Sequence, residues 1–296
     1  MTQPSSPFGT VLTAMVTPFT RDGALDADGA AALATRLVED GNDGLVVNGT
    51  TGESPTTSDE EKERLVRAVV EAVGDRAHVV AGVGTNDTAH TCELARQAEK
   101  AGAHALLVVT PYYSKPPQAG LRGHFETVAD ATGLPCMLYD IPGRSGTPIS
   151  TETLLRLSEH ERIVAVKDAK DDLAATSEVL ANSDLAYYSG TDMLNLPLLA
   201  IGACGFVSVV GHLVARQLKE LAEAYFDGDV LRAREIHQSL VPVYVGMFRT
   251  QGVITAKAAL NALGLPAGPV RPPLCDATDA ELATLRDDLA EVGISL

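Results

Sequence analysis

The chain has 296 residues and a formal net charge of −16, from 23 basic and 39 acidic side chains. This length suits one large domain or a large domain with a small appendage. The negative charge argues against nucleic acid or an anionic membrane as the main partner, and no apolar run approaches the roughly 18 to 20 residues that span a bilayer.

The N-terminal segment and the cysteines bear on the compartment. The segment MTQPSSPFGT has neither a basic n-region nor an apolar h-region, so it predicts no secretory signal. The cysteines form no C-x-x-C pair and no metal-ligand spacing. We therefore expect reduced thiols, a cytoplasmic protein and no metal site. The four cysteines are at positions 92, 136, 204 and 275.

Short apolar, β-branched runs recur along the chain, each followed by a longer segment with helical spacing. Continuous apolar strands that alternate with helices predict a parallel sheet covered on both faces. Eight such units fit an α/β fold, a (β/α)8 TIM barrel of about 230 residues. The runs are TVLTAMV (10–16), GLVVNG (44–49), HVVAGVG (78–84), HALLVVT (104–110), PCMLYD (135–140), RIVAVKD (162–168), LAYYSG (185–190) and CGFVSV (204–209).

An open, doubly wound sheet is the alternative to the barrel. That fold would carry a glycine-rich nucleotide fingerprint after an early strand. The segment AGVGTNDT (81–88) supplies two of its glycines and lacks the third, so the barrel is the better prediction.

Beyond residue 211 the sequence predicts helices only. The first of them completes the barrel, and the rest form a C-terminal extension. We accordingly predict a catalytic barrel over 1–230 and a helical domain over 231–296. The predicted helices are ARQLKELAEAYFDG (215–228), DVLRAREIHQSLVPVYVGMF (229–248), TAKAALNALG (255–264) and DAELATLRDDLAEVG (279–293).

Unusual polar segments follow five of the predicted strands. Active sites of such barrels gather where the strands end, because the loops there surround the open mouth. Five polar strand ends on one rim therefore favour a functional site. They are NGTTGES (48–54), TPYYSKP (110–116), YDIPGRSG (139–146), Lys167 and SGTD (189–192).

Lys167 ends an apolar strand and allows two interpretations. It could pair with the adjacent Asp168 at the rim. Alternatively, burial could keep its amine neutral, and a neutral amine can attack a carbonyl and form a Schiff base without any cofactor. By strand alternation Lys167 shares a face with Ile163 and Ala165, and it points into the barrel if that face does.

The segment GTTGES (49–54) suits a carboxylate. Its glycines let the backbone approach a ligand, and Thr50 and Thr51 present hydroxyl and N–H groups before a helix. The segment could also be a capping loop, with Ser54 or Thr57 as the cap of the helix over 59–73, and the two interpretations are compatible.

Three further side chains are candidates. Tyr139 and the pair Tyr112–Tyr113 could shuttle protons near an imine, or could simply pack at strand ends. Arg144, in a glycine-flanked turn, could clamp a carboxylate through two hydrogen bonds, or could be an ordinary surface arginine.

Together these motifs resemble the dihydrodipicolinate synthase/N-acetylneuraminate lyase family. The resemblance extends from TAMVTPF (13–19) to AKAALNALGL (256–265). It implies a (β/α)8 barrel with a helical C-terminal domain, a lysine-dependent class I lyase, and a homotetramer built from tight dimers. The motifs that carry it are GTTGES, TPYYSKPPQ, YDIPGRSG, VKDAK and YYSGTD, in this order.

The resemblance also implies roles for individual residues. Lys167 would form the imine with pyruvate, without a cofactor. Tyr139 would be the proton donor and acceptor nearest the imine, and Thr50 would link it to Tyr113, contributed across the dimer interface. The remaining positions would contact substrate. Thr51, with Thr50, would bind the pyruvate carboxylate, and Arg144 would bind the carboxylate of a second substrate. Gly190 and Val207 would line the pocket beside the imine.

Arg144 separates the branches of this family. The synthases carry Arg in this turn, whereas the sialic acid lyases usually carry Leu in a P-x-L-S-G turn. The resemblance therefore implies condensation of pyruvate with aspartate β-semialdehyde, the first committed step of lysine and diaminopimelate synthesis. The alternatives are a lyase or dehydratase of a sugar-derived 2-oxo acid, and a non-catalytic regulator that binds a 2-oxo acid.

Some positions depart from the family's common pattern. Lysine-inhibited members often carry histidines after GTTGES and a glutamate after the GTN turn, and here the matching places hold Asp59, Lys62 and His90. We expect weak or absent lysine feedback, because a cationic Lys62 would repel a lysine ammonium. Asp140, where Asn is common, and KDAKDD (167–172) are expected to be tolerated variants.

Overall fold

A computed structural model describes residues 4–296, so the first three residues of the predicted barrel domain lie outside the described residues. Eight parallel strands close into a barrel in chain order, and β8 pairs with β1. All eight predicted strands are present, and the barrel is confirmed. They are Val11–Ala14 (β1), Gly44–Val47 (β2), His78–Gly82 (β3), Ala105–Val109 (β4), Cys136–Asp140 (β5), Ile163–Asp168 (β6), Ala186–Ser189 (β7) and Gly205–Ser208 (β8).

Helices follow the strands and continue beyond the barrel. Several begin at a side-chain cap, such as Asp87, whose carboxylate accepts from the first-turn N–H groups of the third helix. The helices are Ala27–Glu39 (α1), Asp59–Val73 (α2), Thr88–Lys100 (α3), Gln118–Asp130 (α4), Pro142–Ser145 (α5), Thr151–Leu157 (α6), Leu173–Asn182 (α7), Asn195–Ile201 (α8), Gly211–Phe226 (α9), Val230–Ser239 (α10), Val241–Met247 (α11), Gly252–Ala262 (α12) and Asp279–Ala290 (α13).

The strands are apolar on both faces because they separate two cores. Met137 and Ala165 point into the barrel and pack with Val46 and Val207, whereas Leu138 packs outward against the helices. This double burial explains the continuous apolar runs in the sequence.

The pairing of β5 with β6 contains an irregularity that changes one prediction. Cys136 pairs with Ile163, but the next residue, Met137, pairs with Ala165, so β6 holds one extra residue there. Strict alternation predicts that Ile163 shares a face with Ala165 and Lys167, which is wrong for Ile163, because Ile163 belongs to the outer core. Ala165 does face inward.

The C-terminal region is helical, with one break that differs from the prediction. The sequence predicts one helix over 229–248, but α10 ends and α11 begins around Leu240. Pro242, in the first turn of α11, lacks the N–H that a continuous helix needs. The domain division at 230/231 stays a prediction. No helix within 4–296 is long and apolar enough to cross a membrane.

Candidate active site

The carboxyl ends of the strands surround a cavity of about 240 Å³. Two of the sequence-predicted residues that line it, Thr50 and Tyr139, come from the loop after β2 and from β5. A third, Arg144, comes from α5. Tyr112 of the TPYYSKP segment also lines it. Three of the five polar strand ends therefore meet at one mouth, where (β/α)8 barrels place their active sites.

Lys167 lies inside the barrel wall beneath this mouth. Its backbone pairs with Tyr139 on one side and Tyr188 on the other. The residue is 5% exposed, and its Nζ lies 4.2 Å from the centroid of the Tyr139 ring. Burial lowers the pKa of Lys167 to about 8, helped by the positive charge of Arg144. Such an amine is a usable nucleophile near neutral pH.

Asp168 has partners other than Lys167. Its carboxylate accepts hydrogen bonds from the backbone N–H of Lys170 (2.8 Å) and from the hydroxyl of Thr176 on α7. Adjacent residues on a strand point to opposite faces. The geometry therefore favours the buried-amine interpretation of Lys167 over a rim pair with Asp168.

Tyr139 and Thr50 interact at the mouth of the barrel. Tyr139 is 5% exposed, and burial raises its pKa to about 12, opposed by Arg144 and by a hydrogen bond with the side chain of Thr50. At neutral pH the phenol is therefore protonated, in van der Waals range of the lysine amine. A protonated phenol so placed can donate a proton to an imine or to its precursor.

The loop that carries Thr50 and Thr51 is fixed by a hydrogen bond from the segment that follows β1. Thr51 is buried, and the Thr17 hydroxyl donates to the carbonyl of Gly52 (2.6 Å). Neither Ser54 nor Thr57 caps the following helix: the cap of α2 is Ser58, which forms a capping box with Glu61. Ser58 directly precedes α2, whereas Ser54 begins a separate 3₁₀ turn.

Glu53 joins this loop to the C-terminal region. It has a left-handed backbone (φ 55°), and one carboxylate oxygen lies 2.6 Å from Nζ of Lys257 on α12. The other oxygen accepts from the backbone N–H of Arg271 (2.8 Å). The threonine loop is therefore anchored to elements outside the barrel.

Gly190 lies against Lys167, and Val207 lies in the inner core of the barrel. A Cβ on Gly190 would lie 3.1 Å from both Cγ and Cε of Lys167 and 2.9 Å from the carbonyl oxygen of Asp168, so a larger residue would press on the lysine. Val207 is fully buried and packs in the inner core with Tyr139.

Tyr113 does not line the cavity. It is 90% exposed, with a left-handed backbone (φ 70°), whereas its neighbour Tyr112 lines the cavity. A large aromatic side chain in this position is available to a second molecule.

Asp192 is a nearby residue to which the sequence assigned no role. It is buried after β7 and accepts from the hydroxyl of Ser208 and from the backbone N–H groups of Val209 (3.0 Å) and Val210 (3.2 Å). Its charge raises the pKa of Lys167, opposing burial. The acidic residue of the polar strand end SGTD is the signal in the sequence that points to it.

The side chains invoked for lysine feedback lie on α2 and α3. Nζ of Lys62 donates to the carbonyl of Thr57, and burial lowers the pKa of Lys62. Asp59 and His90 contact each other at 2.9 Å. The expected weak feedback stays a prediction. Residues 4–296 hold no group of three or more His, Cys, Asp or Glu placed to bind a metal ion.

Comparison with known proteins identifies the family. The model of the dihydrodipicolinate synthetase family matches residues 7–292. The chain belongs to this family. A 4-hydroxy-tetrahydrodipicolinate synthase of Acidothermus cellulolyticus is 69% identical, covering 98% of this chain and 94% of the relative. A second such synthase, from Streptomyces coelicolor, is 68% identical over 99% of this chain and 98% of its own length.

Solved structures of dihydrodipicolinate synthases share the fold over nearly the full length of the chain. The enzyme from Bacillus anthracis superposes with a TM-score of 0.94 at 42% identity, covering 99% of this chain and all of its own. The enzyme from Cyanidioschyzon merolae, solved with lysine bound, gives 0.95 at 40% identity, covering 97% and 98%.

Proposed function

We propose that this chain is a 4-hydroxy-tetrahydrodipicolinate synthase, a lyase that condenses pyruvate with aspartate β-semialdehyde. Relatives of that name at 67–69% identity over nearly the full length support the reaction. The observation that carries the chemistry is Lys167, a buried amine with its pKa lowered to about 8, in contact with the Tyr139 ring.

The proposed reaction begins with an imine. The amine of Lys167 attacks C2 of pyruvate and water leaves, with Tyr139 supplying and receiving the protons. Loss of a C3 proton gives an enamine, and C3 then attacks the aldehyde carbon of the semialdehyde. The substrate's own amine adds to C2 and displaces the lysine, which closes the ring. The imine serves as the electron sink, so the scheme needs no cofactor.

The two carboxylates would bind at different places. Thr50 and Thr51, on a loop fixed from below, would bind that of pyruvate next to the imine, with Gly190 leaving room for Lys167. Arg144, an exposed residue that lines the mouth, would bind that of the semialdehyde. A guanidinium can hold a carboxylate with two parallel hydrogen bonds.

We also propose an assembly of tight dimers, paired into a homotetramer, in which Tyr113 of one subunit completes the relay of the other. The exposure of Tyr113 supports this role. The free cysteines, three of them buried, fit a cytoplasmic biosynthetic enzyme.

Pyruvate consumption by the purified protein tests the proposed reaction. Aspartate β-semialdehyde, N-acetylmannosamine and glyceraldehyde would be compared, with Lys167→Ala as the control. We expect rapid consumption with the semialdehyde alone and none in the variant. Turnover only with a sugar aldehyde would contradict the proposed substrate, and failure with all three would favour a 2-oxo-acid-binding regulator.

A further inference from the structure

The segment that carries Arg144 is closed by two charged residues outside the cavity. We call residues 141–149 the Arg144 loop. It leaves β5 directly after Asp140 and ends at Ile149, which is fully buried. The backbone N–H of Ile149 donates to Oδ1 of Asp140 (3.2 Å), so the two ends of the loop are bonded to each other.

Lys170, in the segment that follows the neighbouring strand β6, binds the same end of the loop. Its Nζ donates to the carbonyl of Ile149 (3.2 Å) and lies 3.7 Å from Oδ2 of Asp140. The two side chains are 13% and 2% exposed, so the ion pair is largely shielded from water. The backbone of Ile149 is therefore bound on both sides: its N–H donates to the Asp140 carboxylate, and its carbonyl accepts from the Lys170 ammonium.

This contact connects the loop that carries Arg144 to β6, the strand that carries Lys167. Lys170 follows β6 by two residues, and β6 pairs with β5 so that Asp140 is opposite Asp168 and Tyr139 is opposite Lys167. We propose that Asp140 and Lys170 act together as a positioning pair that holds the Arg144 loop in place for the second substrate. The inference rests on the proposed function, because it assigns Arg144 to the semialdehyde carboxylate.

The surroundings of Asp140 make the pair sensitive to pH. The titratable groups that face it are Lys170, Asp168 and Tyr187 on β7. Burial raises the pKa of Asp140 to about 7, with Asp168 acting in the same direction and Lys170 opposing. Below pH 7 the carboxyl is protonated and the ion pair is lost. Above pH 7 the carboxyl is ionised and the positioning pair of Asp140 and Lys170 is an ion pair.

Stability and positioning should respond to Asp140 in opposite ways. An unfolded aspartate has a pKa of about 3.9, so the folded protein binds this proton more tightly than the unfolded chain. Ionisation therefore costs stability as the pH rises from about 4 to about 7. Asp140→Asn keeps the acceptor for Ile149 and removes the charge, so it should not lower the melting temperature at pH 8.

Steady-state kinetics at pH 8 test the proposal. For Asp140→Asn and Lys170→Met we expect the KM for aspartate β-semialdehyde to rise about three- to tenfold while the KM for pyruvate is unchanged. In the double variant, the KM for the semialdehyde should be little higher than in Lys170→Met alone. In the wild type, the KM for the semialdehyde should fall as the pH rises through about 7, and Asp140→Asn should remove this dependence.

Lys219→Met is the matched control. Its ion pair with Asp43 (2.7 Å) lies at the opposite end of the barrel. The proposal would be overturned if the KM for the semialdehyde were unchanged in Asp140→Asn or in Lys170→Met while that variant is folded. An equal rise in the KM values of both substrates, or the same rise in Lys219→Met, would also overturn it. A wild-type protein that forms the pyruvate imine but does not consume the semialdehyde would instead contradict the proposed function.

Discussion

Lys167 should display its altered acidity directly. With a pKa of about 8, its neutral fraction near pH 7 exceeds that of an ordinary lysine by about two orders of magnitude. The rate of pyruvate imine formation, measured by borohydride-dependent inactivation, should therefore rise with pH through about 8 and then level off. Asp192→Asn should move the midpoint to lower pH, because it removes the charge that raises the lysine pKa. A flat profile, or a midpoint moved upward, would contradict this assignment.

A functional residue was predictable where its position at one strand end marks it in the sequence. A contact between residues from two neighbouring strands was not predictable. Lys167, Tyr139 and Arg144 stand out because each follows or ends an apolar run. In the sequence, Asp140 and the KDAKDD segment look like two separate, tolerated variants. The structure places Asp140 against Lys170 of that segment, because β5 and β6 are neighbours, and such a pairing is not visible in one sequence.

At the scale of elements, the buried ion pair of Glu53 and Lys257 links the threonine loop to α12. Both side chains are at most 2% exposed. Lys257→Met would leave the Glu53 carboxylate buried without its cation, which costs about 3–5 kcal/mol. We expect a loss of this size in the free energy of unfolding, measured by urea titration.

A surface ion pair provides the control for that measurement. Arg232 contacts Glu220 with both side chains about half exposed, and exposed pairs contribute roughly 0–1 kcal/mol. If Lys257→Met lost no more stability than Arg232→Ala, the anchoring of the threonine loop by α12 would be contradicted.

Element type was predictable from the apolar period, and local breaks were not. All eight strands follow from their continuous apolar runs. The extra residue in β6 was missed because it depends on the register with β5. The break near Leu240 had a local signal in Pro242, which the helical spacing on both sides obscured.

At the scale of the whole molecule, the exposed Tyr113 predicts an active site shared between subunits. Lys167→Ala and Tyr113→Phe should each be nearly inactive. After the two are mixed, dissociated and reassembled, part of the activity should return, since hybrids contain one site with both groups intact. Lys167→Ala reassembled with Tyr139→Phe is the negative control: Lys167 and Tyr139 of a site belong to the same chain, so every site of that hybrid lacks one of them and no activity should return. Activity that stays absent in the first mixture would contradict the sharing of Tyr113.

The sequence predicts weak or absent feedback by lysine. Lys62 is buried and donates to the carbonyl of Thr57. We expect millimolar lysine to leave the rate of condensation almost unchanged, and Lys62→Ala to increase sensitivity. Half-inhibition of the wild type at low lysine concentration would refute this.

Trapping of the pyruvate imine tests the central claim most directly. The protein would be treated with borohydride in the presence of pyruvate, digested, and mapped by mass spectrometry, with Lys170→Met treated in parallel. We predict one reduced pyruvate adduct, on Lys167, in both proteins and none in Lys167→Ala. An adduct on another lysine, or an unmodified Lys167 in a protein that still turns over, would contradict the account.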